Sequence, residues 1–388
     1  MTGKRRPPRN VPGGGGRSLS WRKQKSVLIH EALTQDPVDV ETLRAAAVTE
    51  GGLLGQEVRR RVWPKLLNIN VFSLPAKPGP AIRTNHRDYN QVLMDVRRSL
   101  RRFPTGMASE ERSVLQEQLI DMILYVLRSH PELHYYQGYH DVAVTLLLTV
   151  GLRLGTAMLQ TLSTHHLRDF MDPTMERTRC VLSYLMPLIQ SESPALHDFL
   201  LRSEVGCIFA LSWLITWYGH VLSDFHKVLR MYDFFLASHP LTPVYCAAQM
   251  VLLREDEVLQ GDCDLPTVHQ LLSTIPNDFP YETLIARTHS LFQRHPPTQL
   301  ERQTSLQRLK SISSSSSFRS LQISSAQQRP DFVLRQQVTP TSDVLPVRSQ
   351  NTLVKLAVWG ISASLGAAAL AVTQTAMEWG PDLLLGLF

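Results

Sequence analysis

Leu115-Gln-Glu-Gln-Leu119-Ile-Asp-Met122-Ile-Leu-Tyr-Val126 sets apolar residues at 115, 119, 122 and 126, the spacing that lines one face of a helix. Val92, Val96, Leu100 and Phe103 repeat the pattern just upstream. Strand-like alternation is scarce. Pro104 with Gly106, Pro131, Asp172-Pro173 and His239-Pro240 interrupt the periodic stretches at intervals that leave short connections, so successive helices can pack as neighbours. These features predict an all-α body over residues 20–295. Two apolar runs inside it, Val142 to Leu152 and Cys207 to Leu222, carry few charges. The first is too short to cross a bilayer, and the second is marginal in length with Trp217, Tyr218 and His220 near its end, so both read as core helices.

Composition changes on either side of the body. Residues 1–19 are basic and rich in proline and glycine, without the apolar stretch of a secretory signal, and read as a disordered arm. Residues 296–350 lose periodicity around the serine run Ser313 to Ser317 and read as a flexible linker. Within the linker, Ser325 to Asp331 followed by Phe332, Val333 and Leu334 is the one stretch able to dock on the body, although a disordered spacer is the reading preferred. Leu356 to Met377 is apolar or small at nearly every position and, at about 1.5 Å per residue, can cross a hydrocarbon core of ~30 Å. Arg348 and Lys355 precede it while Glu378 and Asp382 follow, an asymmetry that places the body in the cytosol. A single-pass tail anchor in the endoplasmic reticulum or mitochondrial outer membrane is expected. Ser362, Ser364, Thr373, Gln374 and Thr375 weaken the span and leave an interfacial helix as the alternative.

Several function classes are excluded. The formal charge of +6 sits largely in the arm and around Arg97, Arg98, Arg101 and Arg102, which does not favour a nucleic-acid partner. Cys180, Cys207, Cys246 and Cys263 are far apart and form no Cys-x-x-Cys pair, so neither a disulfide framework nor a zinc site is expected. No Walker-type phosphate loop, Gly-x-Ser-x-Gly elbow or His-Glu-x-x-His pair occurs. His165-His166 is the nearest approach to a histidine cluster and reads as structural.

Two segments carry candidate chemistry. In Val92-Leu-Met-Asp95-Val-Arg-Arg98, Asp95 and Arg98 stand three residues apart on one helical face, where a carboxylate can hold a guanidinium. An exposed ion pair of purely structural value would look the same. In His134-Tyr135-Tyr-Gln137-Gly138-Tyr-His-Asp141, Gln137 can present an uncharged amide beside Gly138, and Asp141 is placed to cap the following helix. The aromatic residues there can equally be packing.

Taken with Arg59-Arg-Arg-Val-Trp63 upstream, these segments resemble the three signatures of the TBC domain family of Rab GTPase-activating proteins. Arg-x-x-x-Trp falls on Arg59 and Trp63, Ile-x-x-Asp-x-x-Arg on Val92, Asp95 and Arg98, and Tyr-x-Gln-Gly on Tyr135, Gln137 and Gly138. The departures are Val92 for isoleucine and Ser99 where threonine is frequent. The resemblance covers roughly Gly51 to Pro280, and His165 to Pro173, Ile208 to Phe225 and Ser325 to Asp331 narrow it to one tail-anchored member. It implies a two-lobed helical fold that accelerates GTP hydrolysis on a GTP-bound Rab partner. Arg98 and Gln137 would be fingers supplied in trans, supported by Asp95, Tyr135, Gly138, Arg59 and Trp63. The activator would do no chemistry of its own and would hold no metal or cofactor, GTP and magnesium being carried by the GTPase. It also implies the endoplasmic reticulum membrane, or the Golgi, and the Rab of transport between them. A non-catalytic Rab-binding scaffold and a membrane adaptor are the alternatives.

Overall fold

The computed structural model describes residues 15–99, 106–303 and 316–338, and among these there is no strand. The N-terminal half is α1 Gly15–Thr34, α2 Val40–Val48, α3 Gln56–Leu66, α4 Tyr89–Arg98, α5 Ser109–Ser129, α6 Tyr139–Val150 and α7 Leu152–Thr164. Then come α8 Glu176–Leu182, α9 Leu185–Glu192, α10 Pro194–Arg202, α11 Leu211–Ile215, α12 Phe225–Ala237 and α13 Thr242–Leu252. The chain continues with α14 Glu255–Gln260, α15 Leu265–Ser273, α16 Tyr281–Arg294 and α17 Pro297–Gln303, and the described part ends with α18 Ser316–Ala326 and α19 Asp331–Val338.

Local chemistry starts many of these helices. Asp39 accepts from the Thr42 amide at the head of α2, Asp224 from His226 at α12, and Asp264 from Thr267 at α15. Ser193 accepts from Leu196 ahead of Pro194, the first residue of α10. Each side-chain oxygen satisfies an amide that has no partner within its helix. Burial then decides the packing: Leu119, Met122 and Val126 of α5 are fully buried, as are Val92 and Val96 of α4. Apolar side chains from Ile29 to Leu321 form one continuous core, so the two lobes expected from the resemblance share a single interior.

Three expectations are corrected. Cys207 to Leu222 is not one helix: a single 3-10 turn, Ile208–Ala210, leads into the short α11, and the chain then turns through Trp217 and Tyr218 at φ 46° and 62°. Left-handed backbone at bulky residues costs ~1–3 kcal/mol each. Burial of both rings, with Tyr218 N–H donating to Trp213 O and its hydroxyl to Pro243 O, offsets that cost. Residues 296–350 are not a uniform linker, because α17, α18 and α19 lie within them and the last two pack on the body. α1 begins at Gly15, inside the segment read as a disordered arm.

α18 and α19 form a strap across the N-terminal helices. Gln328 O accepts from the Val38 amide, Arg44 Nη2 donates to Ser325 Oγ at 3.1 Å, and Arg329 pairs with Asp36. Lys65, wholly buried at the end of α3, donates to Arg329 O and pairs with Asp331 at 2.5 Å. Phe318 inserts between the rings of His166 and His239, each 5.3 Å away. Among the described residues no helix is long and apolar enough to cross a membrane, and Leu356 to Met377 lies outside them.

Candidate functional site

Asp95, on the last turn but one of α4, is only 2% exposed. A buried carboxylate needs donors around both oxygens. Arg98 Nη2 donates to Oδ1 at 2.6 Å, Tyr135 hydroxyl to Oδ2 at 2.9 Å, and Gln91 Nε2 reaches both at 3.2 Å. Burial and the neighbouring Asp95 hold the Tyr135 phenol far above its ordinary pKa, so its proton stays available to the carboxylate. Arg98 thus has one end tied to a fixed acid, while its side chain remains 66% exposed. Val92 is fully buried and Ser99 donates to Val96 O, so neither departure from the signature disturbs this helix.

Gln137 arrives from the loop ahead of α6. Arg87 Nη2 donates to Leu133 O at 2.6 Å, the Tyr136 hydroxyl donates to Ile215 O at 2.8 Å, and the Tyr136 ring meets Tyr139 and Phe170 edge-on. Gly138 turns the chain into the helix at φ 109°, where a Cβ would also lie 2.9 Å from Thr216 Cγ2. Glycine is therefore required twice over at the residue after Gln137. Asp141 does not cap α6 as expected, because the helix already starts at Tyr139 and Gly138 is its N-cap. It is instead a buried acid in the first turn, with His220 Nδ1 at 3.2 Å from Oδ2.

The two segments meet. Arg98, Gln137, Asp95, Ser99, His140, Asp141 and His220 line one cavity of about 350 Å³. A second, more apolar cavity of about 400 Å³ shares Gln137, His140, Asp141 and His220 with it and extends past Phe170, Met175 and Ile215. Arg59 and Trp63 lie elsewhere. Both donate to Asp233 of α12, Arg59 through Nε and Nη2 and Trp63 through Nε1 at 2.8 Å, and the Leu53 amide adds a further bond. Asp233 is wholly buried, and a Cβ on Gly52 would stand 2.6 Å from its Oδ2. These residues clamp α3 to α12 and do not face the cavity. Asp233 and His220 escape sequence reasoning because their partners are remote in the chain, and Gln91 and His140 because their near neighbours Asp95 and Tyr135 gain their importance only from burial. His220 had a signal in retrospect: it sits near the end of an apolar run, where polar residues gather.

The profile of the Rab-GTPase-TBC domain matches residues 56–259, which hold α3 to nearly the end of α14 and every residue lining the two cavities. The chain belongs to the Rab-GTPase-TBC domain family. It is 57% identical over 374 residues to TBC1 domain family member 20 of Homo sapiens, covering 95% of this chain and 93% of that protein. It is 34% identical over 256 residues to the GTPase-activating protein gyp10 of Schizosaccharomyces pombe, covering 64% of this chain and 68% of the other. The crystal structure of the Ypt/Rab-GAP domain of Gyp1p covers 70% of this chain and 98% of its own at a TM-score of 0.57 and 16% identity, a likeness of fold. In this TBC domain the strap and α1–α2 lie outside the matched range.

Proposed function

We propose that this TBC domain accelerates GTP hydrolysis by a Rab-type small GTPase, with Arg98 and Gln137 inserted into the partner's active site. One observation carries the reading: an exposed guanidinium, anchored to a buried carboxylate, shares a cavity with an amide presented by a rigid loop. A small GTPase hydrolyses GTP slowly because charge developing on the phosphoryl oxygens is incompletely stabilised and the attacking water is loosely held. Arg98 would supply the fixed cation, and Gln137 the oxygen and nitrogen that orient the water. Asp95 and Tyr135 hold the arginine in position, and nucleotide and magnesium are the partner's. The target implied by the resemblance, a Rab of traffic between endoplasmic reticulum and Golgi, is part of this proposal. The length and flanking charges of Leu356 to Met377 support a membrane span there, with the TBC domain cytosolic.

The test is single-turnover hydrolysis by GTP-loaded Rab proteins with a chain ending at Val338, which keeps the strap. Arg98→Ala and Arg98→Lys should each lose about a thousandfold of the acceleration. Gln137→Ala should lose on the order of a hundredfold. Binding without acceleration on every Rab tried would leave a scaffold.

A further inference from the structure

The hydrogen-bond chain that starts at Arg98 does not end at Tyr135. Its hydroxyl lies 3.3 Å from His140 Nδ1, and His140 is 8% exposed on the first turn of α6. A phenol has one proton, and here the Asp95 carboxylate, an acceptor only, takes it. Towards His140 the phenol oxygen must therefore accept, which requires the imidazole to carry its proton on Nδ1. The other ring nitrogen faces Asp141 Oδ2 at 3.8 Å, the oxygen that His220 Nδ1 also approaches.

We propose that His140 is a positioning residue for the Arg98 finger, acting through Tyr135 and Asp95. The inference rests on the finger reading given above. A carboxylate rotates about its Cβ–Cγ bond, and with Oδ1 bonded to Arg98 its plane is set by what holds Oδ2. Tyr135 holds Oδ2 at 2.9 Å, closer than Gln91 Nε2 at 3.2 Å, and His140 keeps the Tyr135 oxygen from turning its proton elsewhere. Displacements of about 0.5 Å matter at such sites, because a cation aimed at phosphoryl oxygens works only when fixed before the reaction. Gln137 sits on the same loop, three residues before His140, so one imidazole ties the arginine's support to the helix that follows the glutamine.

The test uses the full-length chain and a GTP-loaded Rab, with rate measured against activator concentration. His140→Leu should lower the maximal rate about three- to tenfold, the value of one net hydrogen bond, and leave the half-saturating concentration unchanged. His140→Asn, whose amide nitrogen can take the place of Nδ1, should restore most of the loss. In a Tyr135→Phe background, His140→Leu should have no further effect. An unchanged maximal rate in His140→Leu, effects that multiply in the Tyr135→Phe background, or failure of asparagine to restore would each overturn the proposal. Nitrogen-15 NMR of the histidines adds a readout independent of any GTPase: a His140 protonated on Nε2 alone overturns it. If Arg98→Ala retains full acceleration, the finger reading falls and takes this proposal with it. A fall in Arg98→Ala without one in His140→Leu overturns the proposal alone.

Discussion

Arg98 and Gln137 could be picked out from letters in a row because their signatures are local, spanning no more than seven residues each. What makes them usable is not local. Asp95 is wedged among Gln91, Tyr135 and Arg98, and the Gln137 loop is held by Ile215 and Arg87. Gly138 condenses the issue into one position, since a left-handed φ and the nearby Thr216 methyl both exclude a side chain. Gly138→Ala should destabilise the domain by about 2 kcal/mol and shift Gln137 out of line. Urea unfolding read beside the hydrolysis rate checks this. In a Thr216→Ser background, which removes the methyl but not the strain, part of the loss should return; no recovery would mean that backbone strain alone is responsible.

At the level of elements, helical periodicity was legible where one face is buried, as in α4, and misleading where an apolar run offers no contrast between faces. Cys207 to Leu222 is apolar along most of its length, so its period carries little direction, and the turn at Trp217 and Tyr218 brings His220 to Asp141. The strap posed the opposite difficulty: its serines and glutamines look like spacer, yet Ser325 and Gln328 are buried against Arg44 and Val38. Lys65 gives the strap its register, a wholly buried ammonium answered by Asp331, whose own side chain is 32% exposed. Asp331→Ala should cost about 1–2 kcal/mol, less than a fully buried pair because solvent reaches the acid. A chain cut after Gln303 should unfold at lower urea than one ending at Val338. Equal midpoints for the two would deny the strap any share in the stability of the body.

Across the whole molecule, the core that unites α1 with α18 also imprisons histidines. Burial, reinforced by His165, Arg44 and His239, pushes His166 down to about 3, and burial alone takes His239 to about 4. An unfolded histidine titrates near 6.5, so below that pH the unfolded chain binds protons that the folded one refuses. Stability is therefore complete above about pH 6.5 and falls as pH drops towards these folded values, by on the order of 1.4 kcal/mol per pH unit for each histidine. Urea titrations at pH 7.5, 6.5 and 5.5 should show the decline, and His166→Phe should make it shallower by one proton. A decline of the same slope in that variant would assign it to other groups.

The sequence by itself determined the all-helical class, the order and spacing of three signatures, the two residues proposed as fingers, and a candidate membrane span at Leu356 to Met377 whose structure lies outside the described residues. All of these rest on short-range properties: side chains three or four residues apart share a helix face, and twenty apolar residues are long enough to cross a bilayer. The tertiary structure decided that Arg59 and Trp63 serve Asp233 in the core, that His140 and His220 enter the cavity, and that a polar strap closes over α2 and α3. Those contacts join residues far apart in the chain, up to 293 positions for Asp36 and Arg329. A buried acid or ammonium has to find donors and acceptors wherever packing brings them, and periodicity does not encode that choice.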